Sequence, residues 1–386
     1  MTEIIHGRRL LVAEENLVLK WWKSIDQWSL ISSLILILIG LLLSMAASVP
    51  LAESHEKPAF YYVYRQLVYG FLTFGLVLFL SVRSVSFIRR FSLIGFLITI
   101  IALALLPFFG TDFGKGAIRW FSLNFVTVQP SEFLKPFFIV FIAWVISGNQ
   151  KVNPKVGFTI SFFTLVFCVL SLIIQPDLGQ TVLIISSWTA IHFVVGISIL
   201  FSIFFMLFVS GVGAIFFYYS DHVEDRLKNF FFNVMEPTSQ IGFVEKAIQS
   251  GGFLGVGAGN GKIKYSLADA HTDFIIAVAI EEFGLILFLL ILGIFLLIMV
   301  RSVNRLINQK DAFLLLSGLG LLFLIELQAF INLGVAARLL PTKGMTLPFV
   351  SYGGSSMIAT GILMGLLINI TRKRTNDDVD SFLGGK

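Results

Sequence analysis

Asp273 and His271 have the strongest claim to chemistry, in the polar island Ala270-His271-Thr272-Asp273-Phe274. The island sits where a long water-facing segment re-enters an oily stretch, so a carboxylate and an imidazole stand at a membrane surface. A carboxylate there needs no unusual burial and can reach a lipid headgroup. Acting as general base, Asp273 would take the proton from an attacking sugar hydroxyl, an effect worth roughly 10²–10⁴ in rate. His271 could do the same job, although a lone imidazole more often serves as a hydrogen-bonding neighbour. On the same side of the membrane Lys115, Arg119, Arg338, Lys262 and Lys343 can pair with a diphosphate, which must leave as an anion.

Further polar strings surround these residues: Gln129-Pro130-Ser131-Glu132-Phe133-Leu134-Lys135, Gln175-Pro176-Asp177-Leu178-Gly179-Gln180-Thr181 and Ser351-Tyr352-Gly353-Gly354-Ser355-Ser356. Within them Glu132, Lys135, Asp177, Ser351 and Ser355 are candidate substrate contacts. Glu281 and Glu282 follow Asp273 one to two turns into the next apolar run. An ionised group near a bilayer centre costs about 3 kcal/mol even on lenient scales, so both need partners. Asp273 and Glu281 are roughly two helical turns apart and can face one cavity. Glu281 and Glu282 either support Asp273 or serve as structural partners of Lys135, Arg119 or the backbone. Glu326, in the middle of a later apolar run, reads as a packing hydrogen-bonder. One cysteine and five scattered histidines cannot build a His/Cys metal cluster. The cofactor these residues allow is a divalent cation, Mg or Mn, held by carboxylates and diphosphate.

The elements that position these groups must be membrane helices. The chain is 56% hydrophobic and 13% charged over 386 residues, a balance that would give a water-soluble domain a continuous apolar surface. Roughly 20 apolar residues cross a bilayer as helix. Spans are expected near 28–49, 65–82, 91–109, 133–147, 156–174, 178–195, 197–219, 274–300, 312–333 and 355–370. The fold class is therefore all-α, a polytopic membrane protein of about ten helices with a large structured extracytoplasmic loop, 220–273. The first run has no small-residue cleavage site behind it and reads as an uncleaved span. Residues 1–27 form an N-terminal segment, expected to be a flexible tail with a Trp21-Trp22 interface anchor, and 371–386 form a tail. Cys168, within the fifth span, reads as a small apolar core residue.

Lysine and arginine placement orients the chain. Arg8, Arg9, Lys20 and Lys23 precede the first span, and alternate short loops carry Arg83, Arg89 and Arg90, then Lys151 and Lys155, then Arg301, Arg305 and Lys310. The tail carries Arg372, Lys373 and Arg374. With ten helices all fall on one side, so both termini are expected in the cytoplasm. The net charge of +5 is thus a topology signal and no evidence for nucleic acid. The sequon Asn369-Ile370-Thr371 falls on the cytoplasmic side, a chance match.

The external loop of about 54 residues is too long for an idle connection. Asp221 and Glu224 resemble a capping box ahead of an apolar stripe, and a second helix is expected over 239–249, stopped by Gly251-Gly252. The glycine-rich run to Lys262 is not a phosphate loop, because Ile263 stands where Ser or Thr should follow the lysine. It instead lets backbone approach a substrate or a neighbouring helix closely.

These strings, in this order, resemble the SEDS family (shape, elongation, division and sporulation proteins), and its division branch more than its elongation branch. The matching residues are Arg119-Trp120, Gln129-Pro130-Ser131-Glu132 with Lys135, Gln175-Pro176-Asp177-Leu178-Gly179, the glycines from Gly251 to Gly259, and His271-Thr272-Asp273. Glu281-Glu282, Asn332, Leu340-Pro341-Thr342-Lys343-Gly344 and Leu347 through Ser356 continue the match to the last span. The Thr342-Lys343-Gly344 run carries the division-branch preference. The sequence departs from the family pattern at Leu267-Ala268-Asp269-Ala270, which lacks a common proline and glutamate, and at Asn124, where glycine is common.

The resemblance implies a peptidoglycan glycosyltransferase that polymerises lipid II at the outer face of the cytoplasmic membrane, at the division septum. The residue matching the family's aspartate is Asp273. It would assist the 4-hydroxyl of an incoming lipid II sugar as that hydroxyl attacks the anomeric carbon of the nascent glycan strand. The implied partners are a class B penicillin-binding transpeptidase, other division proteins and membrane lipid. The residues alone leave three further readings open: a lipid-linked precursor transporter, an elongation polymerase and a non-catalytic scaffold for the transpeptidase. Transport would need a polar path to the cytoplasmic face, and no inverted-repeat pairing of broken helices is legible.

Overall fold

The computed structural model describes residues 17–111, 118–123, 126–150, 152–196, 240–267, 269–337, 339–340 and 344–374. In chain order the helices are α1 (Leu17–Ser24), α2 (Gln27–Ser54), α3 (Tyr61–Ser81), α4 (Val85–Phe109), α5 (Pro130–Asn149), α6 (Pro154–Ile174) and α7 (Leu178–Val195). They continue with α8 (Gln240–Gly251), α9 (Ile275–Leu306), α10 (Ala312–Ala336) and α11 (Gly354–Ile370). A two-stranded hairpin, β1 (Phe121–Leu123) with antiparallel β2 (Val126–Val128), stands between α4 and α5. Nine of the ten expected spans are among the described residues, as α2 to α7 and α9 to α11. The expected span 197–219 and the helix expected from Asp221 lie outside the described residues. The second loop helix is present as α8.

Local chemistry sets the helix ends. Pro130 and Pro154 occupy first-turn positions, where the missing N–H is no loss. Ser84 accepts from Phe87 N at 3.2 Å to cap α4, and Asp311 accepts from Leu314 N at 3.1 Å to cap α10. In the packing, α5 and α10 bury 67% of their most apolar stretch, against 28% for α4, α6 and α9, which makes α5 and α10 the bundle core and turns the other three towards lipid. α11, buried along nearly its whole length, packs on α3 and α10. Cys168 is fully buried, as expected for an apolar core residue.

One expectation is corrected at the end of the bundle where Leu17 and Thr371 lie. The segment from Leu17 is no flexible tail: α1 is tied down by Trp21 Nε1 donating to Ser81 Oγ at 3.2 Å. Fully buried Asp26 pairs with Arg301 at 2.8 Å, and Arg305 donates to the Ser24, Ile25 and Thr371 carbonyls. Asn369 is also fully buried, its amide donating to the carbonyls of Leu80, Ser81 and Arg83. It offers no accessible glycosylation acceptor, in keeping with a chance sequon.

The second correction concerns α9, expected as one continuous span. Gly284 has φ 74° and ψ −175°, so the helix is broken one turn after Glu281-Glu282. A continuous helix would bond Leu285 N to Glu281 O and Ile286 N to Glu282 O. The glycine-rich loop inserts itself into both bonds. Val256 N and Gly257 N donate to the Glu281 and Glu282 carbonyls at 2.9 and 3.0 Å. Leu285 N and Ile286 N donate instead to Gly252 O and Phe253 O, at 3.0 and 3.4 Å. Four backbone groups that would each cost several kcal/mol unpaired at membrane depth are thereby satisfied. A Cβ at Gly284 would lie 2.2 Å from Phe253 O, and one at Gly255 2.3 Å from Glu282 O, so this approach requires glycine.

Candidate active site

The turn carrying His271, Thr272 and Asp273 ends where α9 begins, and two separate parts of the chain hold its three carbonyls in succession. Tyr352 N donates to His271 O at 2.9 Å. Ser351 Oγ donates to Thr272 O at 2.6 Å while accepting from Leu347 N at 2.8 Å. Asn332 Nδ2, on α10, donates to Asp273 O at 3.2 Å and to Met345 O at 2.6 Å. The segment 344–353 is therefore latched onto the turn, and the Asp273 backbone cannot shift without breaking several bonds. Gly344, at φ 59°, lies beside the side chain: a Cβ there would stand 3.3 Å from Asp273 Oδ2. Asp273 and His271 are both half-buried, at the border between the bundle and the outside.

An aromatic and cationic wall faces this turn. The Tyr352 ring is 5.7 Å from His271 and meets Tyr62 edge-on at 5.5 Å. Tyr62 OH is 2.6 Å from His55 Nδ1, and Arg65 donates to Tyr69 OH at 3.1 Å. Burial pushes the Tyr352 phenol above its usual range, so it stays protonated and able to donate. Sequence reading passed over Tyr62, Arg65 and Tyr69. Their signal was present in Tyr61-Tyr62-Val63-Tyr64-Arg65, a run of rings and charge at the mouth of an apolar helix.

Behind the turn lies a buried polar network that recruits several candidate contacts to a different task. Lys135 Nζ meets Glu132 Oε2 at 2.8 Å and Gln328 Oε1 at 2.9 Å, and Gln180 donates to Glu132 Oε1 at 2.6 Å. Gln328 in turn donates to Thr346 O at 3.0 Å, one residue from the carbonyl held by Asn332. Asp177 accepts from Gln129 and Ser131 at 3.0 and 2.9 Å. Burial pushes its carboxyl up, with Arg119 and the Ser131 hydroxyl pulling it back. Arg119 donates from Nε to Gln175 O at 2.9 Å and from Nη2 to Pro176 O, bracing the turn before Asp177.

Glu132, Lys135 and Asp177 are 4%, 3% and 5% exposed. Their expected role as substrate contacts is accordingly revised: they stiffen the wall behind the site. The same applies to Ser351, whose hydroxyl is used by the turn, and to Ser355, whose Oγ accepts from Gln129 N at 3.3 Å. Gln328 went unnoticed in the sequence. With Asn332 it forms an i, i+4 amide pair on an otherwise oily helix, a pattern that announces an inward polar stripe.

Glu281 and Glu282 turn their carboxylates to the glycine-rich loop. Glu281 Oε1 accepts from Lys262 N and Ile263 N at 2.7 and 3.0 Å, and Glu282 Oε2 accepts from Gly259 N at 2.8 Å. Glu282 Oε1 pairs with Lys264 at 2.7 Å, both side chains being buried. Of the two sequence readings, the structural one with backbone as partner describes them, and Lys264 takes the place expected of Lys135 or Arg119. Lys262 is exposed. Glu326 makes a poorer hydrogen-bonder than expected, since its Oε1 is buried with no partner among the described residues. Lys115, Arg338 and Lys343 lie outside the described residues.

Comparison with known proteins bears on the chain as a whole. Residues 27–376 match the FtsW, RodA and SpoVE family, described as cell cycle proteins. A Caulobacter vibrioides protein named "Probable peptidoglycan glycosyltransferase FtsW" is 37% identical over 356 residues, covering 92% of this chain and 91% of that one. The protein of the same name from Coxiella burnetii is 32% identical over 373 residues, covering 92% and 98%. Among solved structures, a chain of a peptidoglycan synthase complex that coordinates polymerization and crosslinking superposes with a TM-score of 0.71 at 23% identity, over 91% of this chain and 98% of that one. Thermus thermophilus RodA, a rod shape determining protein, gives 0.64 at 22% identity, over 91% and 97%. At those identities the two structures speak for the fold.

Proposed function

The chain belongs to the FtsW, RodA and SpoVE family of cell cycle proteins, and from that premise we propose the reaction of Asp273 and its surroundings. The protein is a multi-pass membrane protein and a peptidoglycan glycosyltransferase that polymerises lipid II. The 4-hydroxyl of the incoming lipid II sugar attacks the anomeric carbon of the growing strand. The new glycosidic C–O bond forms as the bond to undecaprenyl diphosphate breaks, with inversion, and the diphosphate leaves with the bonding pair. The hydroxyl proton passes to the Asp273 carboxylate.

One observation carries this reading: the three consecutive carbonyls of His271, Thr272 and Asp273 are each held from outside the turn. Fixing a base to within a fraction of an ångström of its proton is what general-base catalysis asks of a scaffold. Lys262, Arg119's remaining donors, Lys115 and Lys343 are the cations for the departing diphosphate. Among the described residues no three His, Cys, Asp or Glu side chains gather to hold a metal. A Mg or Mn ion would thus need oxygens from the diphosphate itself, and no step here runs through one.

The expected setting is the bacterial inner membrane at the division septum, with both termini cytoplasmic and a class B transpeptidase as partner. The lysine and arginine distribution supports the orientation, and the division-type names of the relatives support the setting. The test is glycan synthesis from purified lipid II by the protein alone and with its candidate transpeptidase. Wild type should yield polymer and Asp273→Asn none. Equal polymer from the variant would refute the assignment.

A further inference from the structure

At the end of the bundle opposite Asp273, α4 and α5 enclose a cavity of about 230 Å³ lined by Ser86, Arg89, Arg90, Leu93 and Trp144. By liquid volume it would hold roughly seven waters. Two guanidiniums on one wall, without a carboxylate, are unusual so close to hydrocarbon. Neither Arg89 nor Arg90 makes an ion pair with any described residue. Arg90 is exposed, and Arg89 is half-buried with its guanidinium 4.3 Å from the centre of the Phe313 ring. That stacking holds Arg89 in place, where a free side chain would extend to water. Its Nε is buried and has no hydrogen-bond partner among the described residues. The cavity thus has positive charge, a donor in need of an acceptor and, in Trp144, an indole of the kind that lies at headgroup level.

A second feature says what kind of anion fits. Leu93 lines this cavity, and Leu97, one helical turn deeper on the same face of α4, lines an apolar groove of about 480 Å³ between α4 and α6. Ile100, Phe163 and Phe167 are further members of that groove. A charged head cavity therefore lies one turn of α4 from an apolar channel. Water-soluble phosphates have no use for the channel, and acyl chains have no use for the arginines.

We propose that this is a binding site for an anionic glycerophospholipid, its phosphodiester accepting from Arg89 and Arg90 and an acyl chain lying along Leu93 and Leu97 towards the groove. Basic pockets between membrane helices on the positively charged side of a protein are suited to such headgroups. With the orientation given above, the lipid comes from the inner leaflet. It binds on the face away from the reaction, so it acts as a structural or regulatory ligand and takes no part in glycosyl transfer.

The experiment is native mass spectrometry of the delipidated full-length protein titrated with phosphatidylglycerol, with phosphatidylcholine and undecaprenyl diphosphate as separate arms. Wild type should retain phosphatidylglycerol about tenfold more tightly than phosphatidylcholine, and Arg89→Gln with Arg90→Gln should lose that preference. Arg83→Gln is the control. That residue lies at the same end, over the rings of Phe79 and Phe87, and does not line the cavity. It should leave binding within about twofold of wild type.

Should the double variant fail to fold, Ser86→Asp brings a carboxylate to the exposed cavity rim while leaving Arg89 on Phe313. It should weaken phosphatidylglycerol to the same extent. Three results overturn the proposal: equal loss in Arg83→Gln, which would mean diffuse surface charge; unchanged binding in the cavity variants; or tighter binding of undecaprenyl diphosphate, which would make this a site for the substrate's own carrier.

Discussion

Asp273 and the pair Glu281-Glu282 lie within ten residues of one another, yet the fold uses them in opposite ways. Asp273 sits in a turn whose backbone is clamped while its side chain stands half-buried at the mouth. Around Glu281 and Glu282 the reverse holds: the helix is broken, and the carboxylates themselves do the clamping, gathering the N–H groups of Gly259, Lys262 and Ile263 and the ammonium of Lys264. The contrast shows that a carboxylate's role is set by where its hydrogen bonds are spent. A carboxylate that gathers backbone N–H groups holds a loop in place, and one carried on a clamped turn is positioned for proton transfer.

Substitutions can break this comparison, beginning with the backbone. Gly284→Ala and Gly255→Ala each drive a Cβ into a carbonyl that cannot move without releasing the helix break. Each should cost more than about 4 kcal/mol, the exceptional range for a point change. The expected result is loss of monodisperse protein on gel filtration in detergent, and normal yield would show that the loop is not wedged into α9 as described.

Glu282→Gln comes next. It leaves Lys264 charged and buried without its partner, a loss of about 3–5 kcal/mol. A large drop in melting temperature should accompany it, while activity per folded molecule changes little. Replacing Lys264 by Met as well should recover much of that stability. Failure of the second change to rescue would mean the pair is not the important contact.

Two smaller changes act on the clamp. Gly344→Ala combines an unfavourable positive φ with a methyl group 3.3 Å from Asp273 Oδ2. It should cost roughly 1 kcal/mol in stability and lower kcat about tenfold by displacing the base. Ser351→Ala removes the bond to Thr272 O and the one from Leu347 N, about 1 kcal/mol each, and should lower kcat less than Gly344→Ala with KM nearly unchanged. Should Ser351→Ala raise KM and leave kcat alone, the hydroxyl would belong to substrate binding after all, as the sequence suggested.

The sequence made the membrane architecture legible because hydrocarbon thickness imposes a length that few other constraints can mimic; α2 to α7 and α9 to α11 all fall where apolar runs stood. Asp273 was legible for a related reason, as a polar island at a boundary. The buried network was misjudged because burial is a tertiary property. Gln129, Glu132, Lys135 and Asp177 look like surface chemistry in a row of letters, and only the packing of α5 against α7 and α10 turns them inward. The break in α9 was missed because a lone glycine in an apolar run is usually tolerated within helix. What makes Gly284 decisive is the loop that enters there, and that loop precedes it by about thirty residues of sequence.

The most direct test of this division of labour is to measure lipid II polymerisation per folded molecule for Asp273→Asn and Glu281→Gln side by side, with a candidate transpeptidase present and melting temperatures recorded. Asp273→Asn should melt like wild type and make no glycan, a loss of at least roughly 10²-fold. Glu281→Gln should melt lower and polymerise at nearly the wild-type rate for whatever fraction is folded. A stable, inactive Glu281→Gln beside an active Asp273→Asn would contradict the account and move the reacting carboxylate onto the broken helix.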